Sequence, residues 1–158
     1  MKSTLLKPLL IVLFLFITIS QGCKKEENSP ELQAFTEAKM LWESSNISKS
    51  SNYIFTSTRV CFCTDPGTYR ITVVNNAITD VRIGALYEDY PHAGKDFKTI
   101  DQLFQFIEAS LKKDPAKANI KYDALLGYPT EIDLDFEINA LDDEVRYNIK
   151  DLQLLIID

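Results

Sequence analysis

Three β-rich runs in close succession between Tyr53 and Ile83 constrain the fold more than any other part of the chain. Val60 and Phe62 alternate with Cys61 and Cys63 in the first run. Successive side chains of a strand point to opposite faces, so the two thiols are expected on one face and the two apolar side chains on the other. The region therefore predicts an antiparallel meander.

Turn signals separate these runs. Asp65-Pro66-Gly67-Thr68 predicts the first turn, because proline pre-sets φ and glycine accepts positive φ. Asn75-Asn76 predicts a primed hairpin turn, since asparagine tolerates the left-handed region. A bulge at Thr79-Asp80 is expected, because it returns Val81 and Ile83 to the core side.

Helical periodicity predicts two helices flanking the meander. Ser29 and Pro30 are the expected N-cap and first residue of a helix that runs to about Ser44. Its apolar stripe consists of Leu32, Phe35, Ala38, Leu41 and Trp42. Thr99-Ile100-Asp101-Gln102 is a capping box that opens the second helix, and Asp114-Pro115 ends it.

The C-terminal part predicts three more strands. A short one covers Ala118 to Asp123, and Thr130 to Ile138 alternates apolar and acidic residues. When apolar residues are placed opposite apolar residues and acids opposite bases, Ile138 pairs with Val145 in the final hairpin. This register further pairs Phe136 with Tyr147, Leu134 with Ile149, Glu137 with Arg146, Asp135 with Asn148 and Asp133 with Lys150.

The expected fold class is α+β, with one antiparallel sheet and both helices packed on one face. Each half reads as a helix followed by three strands, which indicates a duplicated unit. We expect a signal peptide at 1–22, a charged tether at 23–29 and a single domain at 30–158.

The N-terminal segment has the charged and apolar regions of a signal peptide, and its apolar run from Leu9 to Ile19 is too short for a finished membrane span. Ser20-Gln21-Gly22-Cys23 resembles a bacterial lipobox, although serine stands where leucine is most common. Lipidation of Cys23 is therefore expected, and the alternative is ordinary cleavage that leaves a free thiol. Lys24 beside Cys23 fits an outer-membrane lipoprotein that faces the periplasm or the cell surface.

The net charge of the chain argues against some classes of binding partner. The formal net charge of −6 becomes −8 after loss of residues 1–22, because Lys2 and Lys7 are the only charged residues there. An acidic surface argues against nucleic acid and against electrostatic docking on anionic lipid. Contact with the membrane is therefore expected through the lipid on Cys23.

Cys61 and Cys63 form the sharpest local feature. Their Cα atoms, two residues apart on a strand, lie roughly 6.5 to 7 Å apart, near the limit for a disulfide. A structural pair, bonded or reduced, is the expected role. Redox exchange remains an alternative, and so does a metal site with His92, although the spacing is not that of a standard zinc motif.

Gly84 to Lys98 is a long connection that contains Tyr87, Tyr90 and His92. Such loops often carry binding residues, and they also often cover a sheet edge. The acidic residues of the final hairpin offer oxygen ligands to calcium, but no EF-hand spacing appears. A solvated charged face is expected instead, with no metal and no cofactor.

Four separated segments are similar to the bacterial domain-of-unknown-function family 6174. They are Arg59 to Cys63, Ile71 to Asn76, Thr99 to Phe104, and Tyr122 to Pro129 with Ile132 and Asp135. The resemblance covers about Tyr53 to Lys150, with Asn76 at a turn position where the family often has glycine. It implies a secreted or lipid-anchored domain without an assigned activity, so it transfers no catalytic residue.

Neither a nucleophile elbow nor a Cys-x-x-Cys motif is present. We therefore expect a noncatalytic, lipid-anchored envelope protein that presents its open sheet face or the Gly84 to Lys98 loop to another envelope protein. The alternative is a thiol redox or metal-handling protein that uses Cys61 and Cys63.

Overall fold

The computed structural model describes residues 29–62, 66–84, 88–89, 97–140 and 143–157. The predicted signal peptide, Cys23 and nearly all of the tether lie outside the described residues. The elements are α1 (Pro30–Ser44), α2 (Asn46–Ser50), β1 (Tyr53–Cys61), β2 (Gly67–Val74), β3 (Ala77–Ile83), β4 (Glu88–Asp89), α3 (Ile100–Leu111), β5 (Lys117–Tyr122), β6 (Pro129–Asp135) and β7 (Val145–Leu154).

All strands join one antiparallel sheet in the order β4-β3-β2-β1-β7-β6-β5. Both long helices pack on the same face: Trp42 of α1 meets Tyr53, with ring centroids 5.6 Å apart, and Phe106 of α3 meets Tyr147 at 5.8 Å. The predicted α+β class is confirmed. The strand order alone does not establish a duplication, which stays a prediction.

The predicted helix starts are confirmed by their capping bonds. Leu32 N donates to Ser29 Oγ at 3.3 Å at the start of α1. Gln102 N donates to Thr99 Oγ1 at 3.2 Å, and Thr99 N donates back to the Gln102 side chain at 2.9 Å. Leu41, which the sequence places in the apolar stripe, is 43% exposed. Short α2 was not predicted.

Two polar contacts join α3 to the rest of the core. Trp42 Nε1 donates to Asp101 Oδ1 at 2.6 Å, and Ile100 N donates to the Tyr53 hydroxyl at 3.1 Å. Burial raises the pKa of Tyr53 far above its usual range, so the hydroxyl stays protonated. The first turn of α3 is therefore fastened to both α1 and β1.

The turn and bulge of the meander are confirmed. Asn75 and Asn76 have φ of 53° and 59°, the left-handed values of a primed hairpin. Thr72 pairs with Asp80 and Val73 with Ile78, so Thr79 is the extra residue of the bulge. The bulge turns Val81 toward the helices, where it is buried. Asp65, in the other predicted turn, lies outside the described residues.

The predicted register of the final hairpin is wrong by four residues. Leu134, not Ile138, pairs with Val145, Ile132 pairs with Tyr147, and Asp133 pairs with Arg146. The chain leaves the sheet after Asp135, and Ile138 is 78% exposed. Apolar alternation has a period of two, so a shift of four residues preserves every facing pattern. Contacts of β6 with β5 and of Tyr147 with α3 decide between the two registers.

Candidate functional site

The open edge of the sheet at β5 is the most distinctive surface of the fold. β5 is the last strand of the sheet, and no strand in the described ranges pairs with its outer side. Ala118, Ile120 and Tyr122 are on the helix side of the sheet but only half-buried. Their neighbours on β6, Ile132 and Leu134, are fully buried. Burial of the side chains on the helix side therefore decreases from β6 to β5.

A groove of about 790 Å³ lies between α1, the C-terminal end of α3 and the first part of β5. Its apolar lining comes from all three elements and includes Leu32, Phe35, Leu111, Pro115 and Ala118. The volume is within the range of small-ligand sites, roughly 300 to 1,000 Å³. This groove can therefore accommodate several side chains.

A second groove, of about 270 Å³, continues along β5. It lies between the first turns of α1 and the strand, and it is lined by Pro30, Ala34, Ile120 and Tyr122 among others. Ala118 borders both grooves. The short side chains at Ala34 and Ala118 leave the space between helix and strand open.

The walls of the grooves are electrostatically mixed. The Lys39 ammonium lies 5.9 Å from the centroid of the Phe35 ring, and Lys112 Nζ bonds Glu108 Oε1 at 2.7 Å. That hydrogen bond lowers the pKa of Glu108. Acidic residues outnumber basic ones in the lining of the larger groove, with Glu31, Glu43, Glu108 and Asp114 against Lys39 and Lys112.

Tyr122 lines the smaller groove. Its ring stacks on Phe104 with centroids 6.2 Å apart. Its hydroxyl is buried and has no hydrogen-bond partner. Burial raises the pKa of Tyr122 far above its usual range. The neutral hydroxyl is therefore enclosed by the protein without a hydrogen-bond partner.

The two lysines of β5 point away from the edge. Lys117 Nζ bonds Asp133 Oδ2, and Lys121 Nζ bonds Glu131 Oε2, both at 2.7 Å. Both carboxylates belong to the neighbouring strand β6. Exposed lysines commonly block edge strands from pairing with another chain. Here the ammonium groups are directed inward across the sheet, which leaves the backbone edge accessible.

The predicted cysteine site is described only in part. Cys61, at the end of β1, is disulfide-bonded. The two other cysteines of the sequence, Cys23 and Cys63, lie outside the described residues. Pairing of Cys61 with Cys63 stays a prediction. Phe62 is 83% exposed, so this end of the strand presents an apolar side chain to solvent.

The predicted binding-loop residues Tyr87, Tyr90 and His92 also lie outside the described residues. Phe97, near the end of that loop, packs edge-on against Tyr69 with centroids 4.6 Å apart. The guanidinium of buried Arg59 lies 5.6 Å from the centroid of the Phe97 ring. Phe97, at the described end of the loop, therefore packs against residues of the core.

Sequence reasoning missed both grooves, because they depend on which strand forms the edge. The described residues contain no group of three or more His, Cys, Asp or Glu side chains placed to hold a metal ion. Within the same part of the chain, no helix has the length and apolar character needed to cross a membrane.

Fold and grooves together define a small α+β domain with helices on one sheet face, an open opposite face and an open edge. The chain belongs to the family of unknown function DUF6174, whose model matches residues 34–154. No curated protein and no solved structure matches it.

Proposed function

We propose that this protein is a lipid-anchored, noncatalytic binding module of the cell envelope that captures an extended segment of another protein along β5. The observation that carries the proposal is the open edge strand bordered by two apolar grooves. An extended peptide that adds to such an edge forms main-chain hydrogen bonds, and pockets for alternate side chains provide specificity.

The spacing of the grooves fits this mode of binding. Alternate side chains of an extended peptide lie roughly 6.6 to 6.8 Å apart on one face. Because the two grooves meet at Ala118, successive side chains on the helix side of an added strand would enter one groove and then the other. We therefore expect a ligand with apolar residues at alternate positions.

The intervening side chains of the ligand would lie on the open face, beside Lys117, Asn119 and Lys121. Those side chains are bonded to Asp133 and Glu131 of β6. Since the charges of Lys117 and Lys121 are already paired, we expect polar residues of either sign at these positions of the ligand.

Anchoring would hold this edge near the membrane. Ser29 lines the larger groove, and Cys23 precedes it by six residues. Six residues span at most about 20 Å. A lipid on Cys23 would thus place the groove within about 20 Å of the bilayer, where it meets segments of membrane-associated proteins.

Ala118→Trp tests the edge, because the indole would fill the junction of the grooves. Ala77→Trp is the matched control, since Ala77 is an exposed alanine of a strand far from the grooves. Peptides selected from a random displayed library on the purified protein should share alternate apolar residues. Their affinity should fall strongly for Ala118→Trp and stay at the wild-type value for Ala77→Trp.

Equal affinity of both tryptophan variants, with unchanged melting temperatures, would argue against peptide addition at β5. The anchor is tested separately. Wild-type protein should sediment with envelopes, and a Cys23→Ala variant should not. A Cys23→Ala variant that remains in the membrane fraction would contradict lipid anchoring without affecting the peptide site.

The second candidate is thiol chemistry at Cys61 and Cys63. A disulfide-bonded Cys61 favours a structural or redox role over metal binding, because a metal site requires deprotonated thiolates.

A further inference from the structure

We infer that two copies of this chain form a symmetric dimer through β5, with Ile120 of one copy opposite Ile120 of the other. The two edge strands would then join into one continuous antiparallel sheet. An unpaired edge presents a row of main-chain donors and acceptors, which a second chain can satisfy. This pairing needs only the edge strand and does not rest on peptide capture. Where both occur, the second copy and the peptide compete for the same edge.

The main-chain groups of alternate β5 residues point outward from the sheet. Asp123 N donates to Tyr128 O and Asp123 O accepts from Gly127 N, both at 2.9 Å, so the main-chain groups at position 123 are directed toward β6. Because these directions alternate along a strand, the main-chain groups of Ala118, Ile120 and Tyr122 are directed away from β6. No strand in the described part of the chain pairs with them. These three residues are therefore the ones that can form hydrogen-bonded pairs with a second copy.

Charge selects one register among those that the backbone allows. With Ile120 on the twofold axis, Asn119 lies opposite Lys121 of the second copy, and Lys117 lies opposite Asp123. An axis at position 119 would place Lys117 opposite Lys121, and an axis at position 121 would place Lys121 opposite itself. Like charges directly opposite each other destabilise a sheet, so the axis at Ile120 is favoured.

The same register covers the half-buried apolar side chains of the edge strand. Ala118, Ile120 and Tyr122 lie on the helix side of β5. Ala118 would lie opposite Tyr122 of the second copy, which places a small side chain against a large one. The two Ile120 side chains would meet on the axis. Apolar cross-strand pairs of this kind stabilise a sheet, so side-chain packing favours the register that charge selects.

α1 contributes a second apolar surface beside this edge. Pro30 and Ala34 line the smaller groove together with Ile120 and Tyr122. Leu41, seven residues after Ala34, lies on the same face of the helix and is 43% exposed. Because the twofold axis passes through Ile120, this face of α1 would approach the same face of the second copy. The dimer would therefore cover apolar side chains of both the strand and the helix.

Dimerisation is tested by sedimentation equilibrium of protein that begins at Ser29, which contains every described helix and strand. The mass should rise from that of one chain to that of two with increasing concentration. Asn119→Lys places a lysine opposite Lys121 on both sides of the twofold axis and should raise the dissociation constant severalfold. Asn148→Lys is the matched control, because Asn148 is an exposed asparagine on the same sheet face of β7, which is paired on both sides. It should dimerise like the wild type.

The register is tested by oxidation of introduced cysteines. Directly opposed residues of a hydrogen-bonded antiparallel pair have Cα atoms about 5.5 Å apart, a distance that suits a disulfide. Ile120→Cys should therefore give a covalent dimer on a non-reducing gel. Lys121→Cys is the control, because its two copies would be offset along the strands with Cα atoms roughly 8 Å apart, beyond the reach of a disulfide.

Three results would overturn the inference. One is a protein that stays monomeric at concentrations up to about 1 mM. Another is an equal dissociation constant for Asn119→Lys and Asn148→Lys. The third is a covalent dimer of Lys121→Cys without one of Ile120→Cys. None of these results would change the peptide affinities of Ala118→Trp and Ala77→Trp, so dimerisation and peptide capture fail separately.

Discussion

Gly127→Ala should destabilise the fold through a backbone collision. Gly127 has φ of +76°, and an added Cβ would lie 2.1 Å from Ala38 O and 2.8 Å from Trp42 N, both in α1. These atoms belong to the helix backbone and cannot rotate aside. The turn before β6 must therefore withdraw from α1, or α1 must shift on the sheet.

Gly84→Ala provides the matched control. Gly84 has φ of +74°, and an added Cβ there would meet nothing within 4 Å. Both variants carry the left-handed strain, about 1 to 2 kcal/mol for a residue with Cβ. Only Gly127→Ala adds the collision, and overpacking costs typically about 1 to 3 kcal/mol. The expected losses are about 1 to 2 kcal/mol at Gly84 and about 2 to 5 kcal/mol at Gly127.

Urea unfolding monitored by fluorescence of Trp42, the single tryptophan and fully buried, measures both losses. Each kcal/mol should also lower Tm by roughly 4 °C in a domain of this size. Equal losses for the two variants would refute the reasoning, because they would show that the turn does not press on the helix.

Three further predictions concern individual contacts. Asp133→Asn should lower the free energy of unfolding at pH 7, measured in urea, by about 1 to 3 kcal/mol. Glu131→Gln should lower it by at most about 1 kcal/mol, because the ion pair of Glu131 is more exposed. Because pairing lowers the pKa of Asp133, this stabilisation is present above the unfolded pKa of about 3.9 and disappears as pH falls through the folded value. The free energies of unfolding of wild type and Asp133→Asn should therefore converge in acid. A difference that stays constant with pH would contradict this. Thr99→Ala should cost about 0.5 to 2 kcal/mol in thermal unfolding through loss of the cap of α3, and an unchanged Tm would show that the cap is dispensable. Intact mass of protein that begins at Ser29, alkylated with and without reductant, should show Cys61 and Cys63 blocked until reduction, whereas two freely alkylating thiols would exclude the pair.

Local signals predicted the element starts and turns well. The caps at Ser29 and Thr99, the turn at Asn75-Asn76 and the bulge at Thr79 depend on hydrogen bonds and dihedral angles within a few residues. Such interactions are complete in a short segment, so the sequence of that segment contains the information.

Register and strand order were beyond local reasoning. The alternation that places Ile132 and Leu134 inward also allowed Ile138 to pair with Val145, since a shift of four residues changes no facing pattern. The choice depends on β5, which pairs with the other side of β6, and on Phe106 of α3. Both contacts join segments far apart in sequence.

The sequence by itself determined the α+β class, the family resemblance and the helix and turn positions, because these follow from side-chain periodicity and local backbone chemistry. The tertiary structure alone decided that β5 forms the edge, that the grooves meet at Ala118, and that the carboxylate of Asp143 is buried without a partner. Whether an edge is exposed or a carboxylate is buried depends on which other elements pack over it. Contacts between segments far apart in sequence determine that packing.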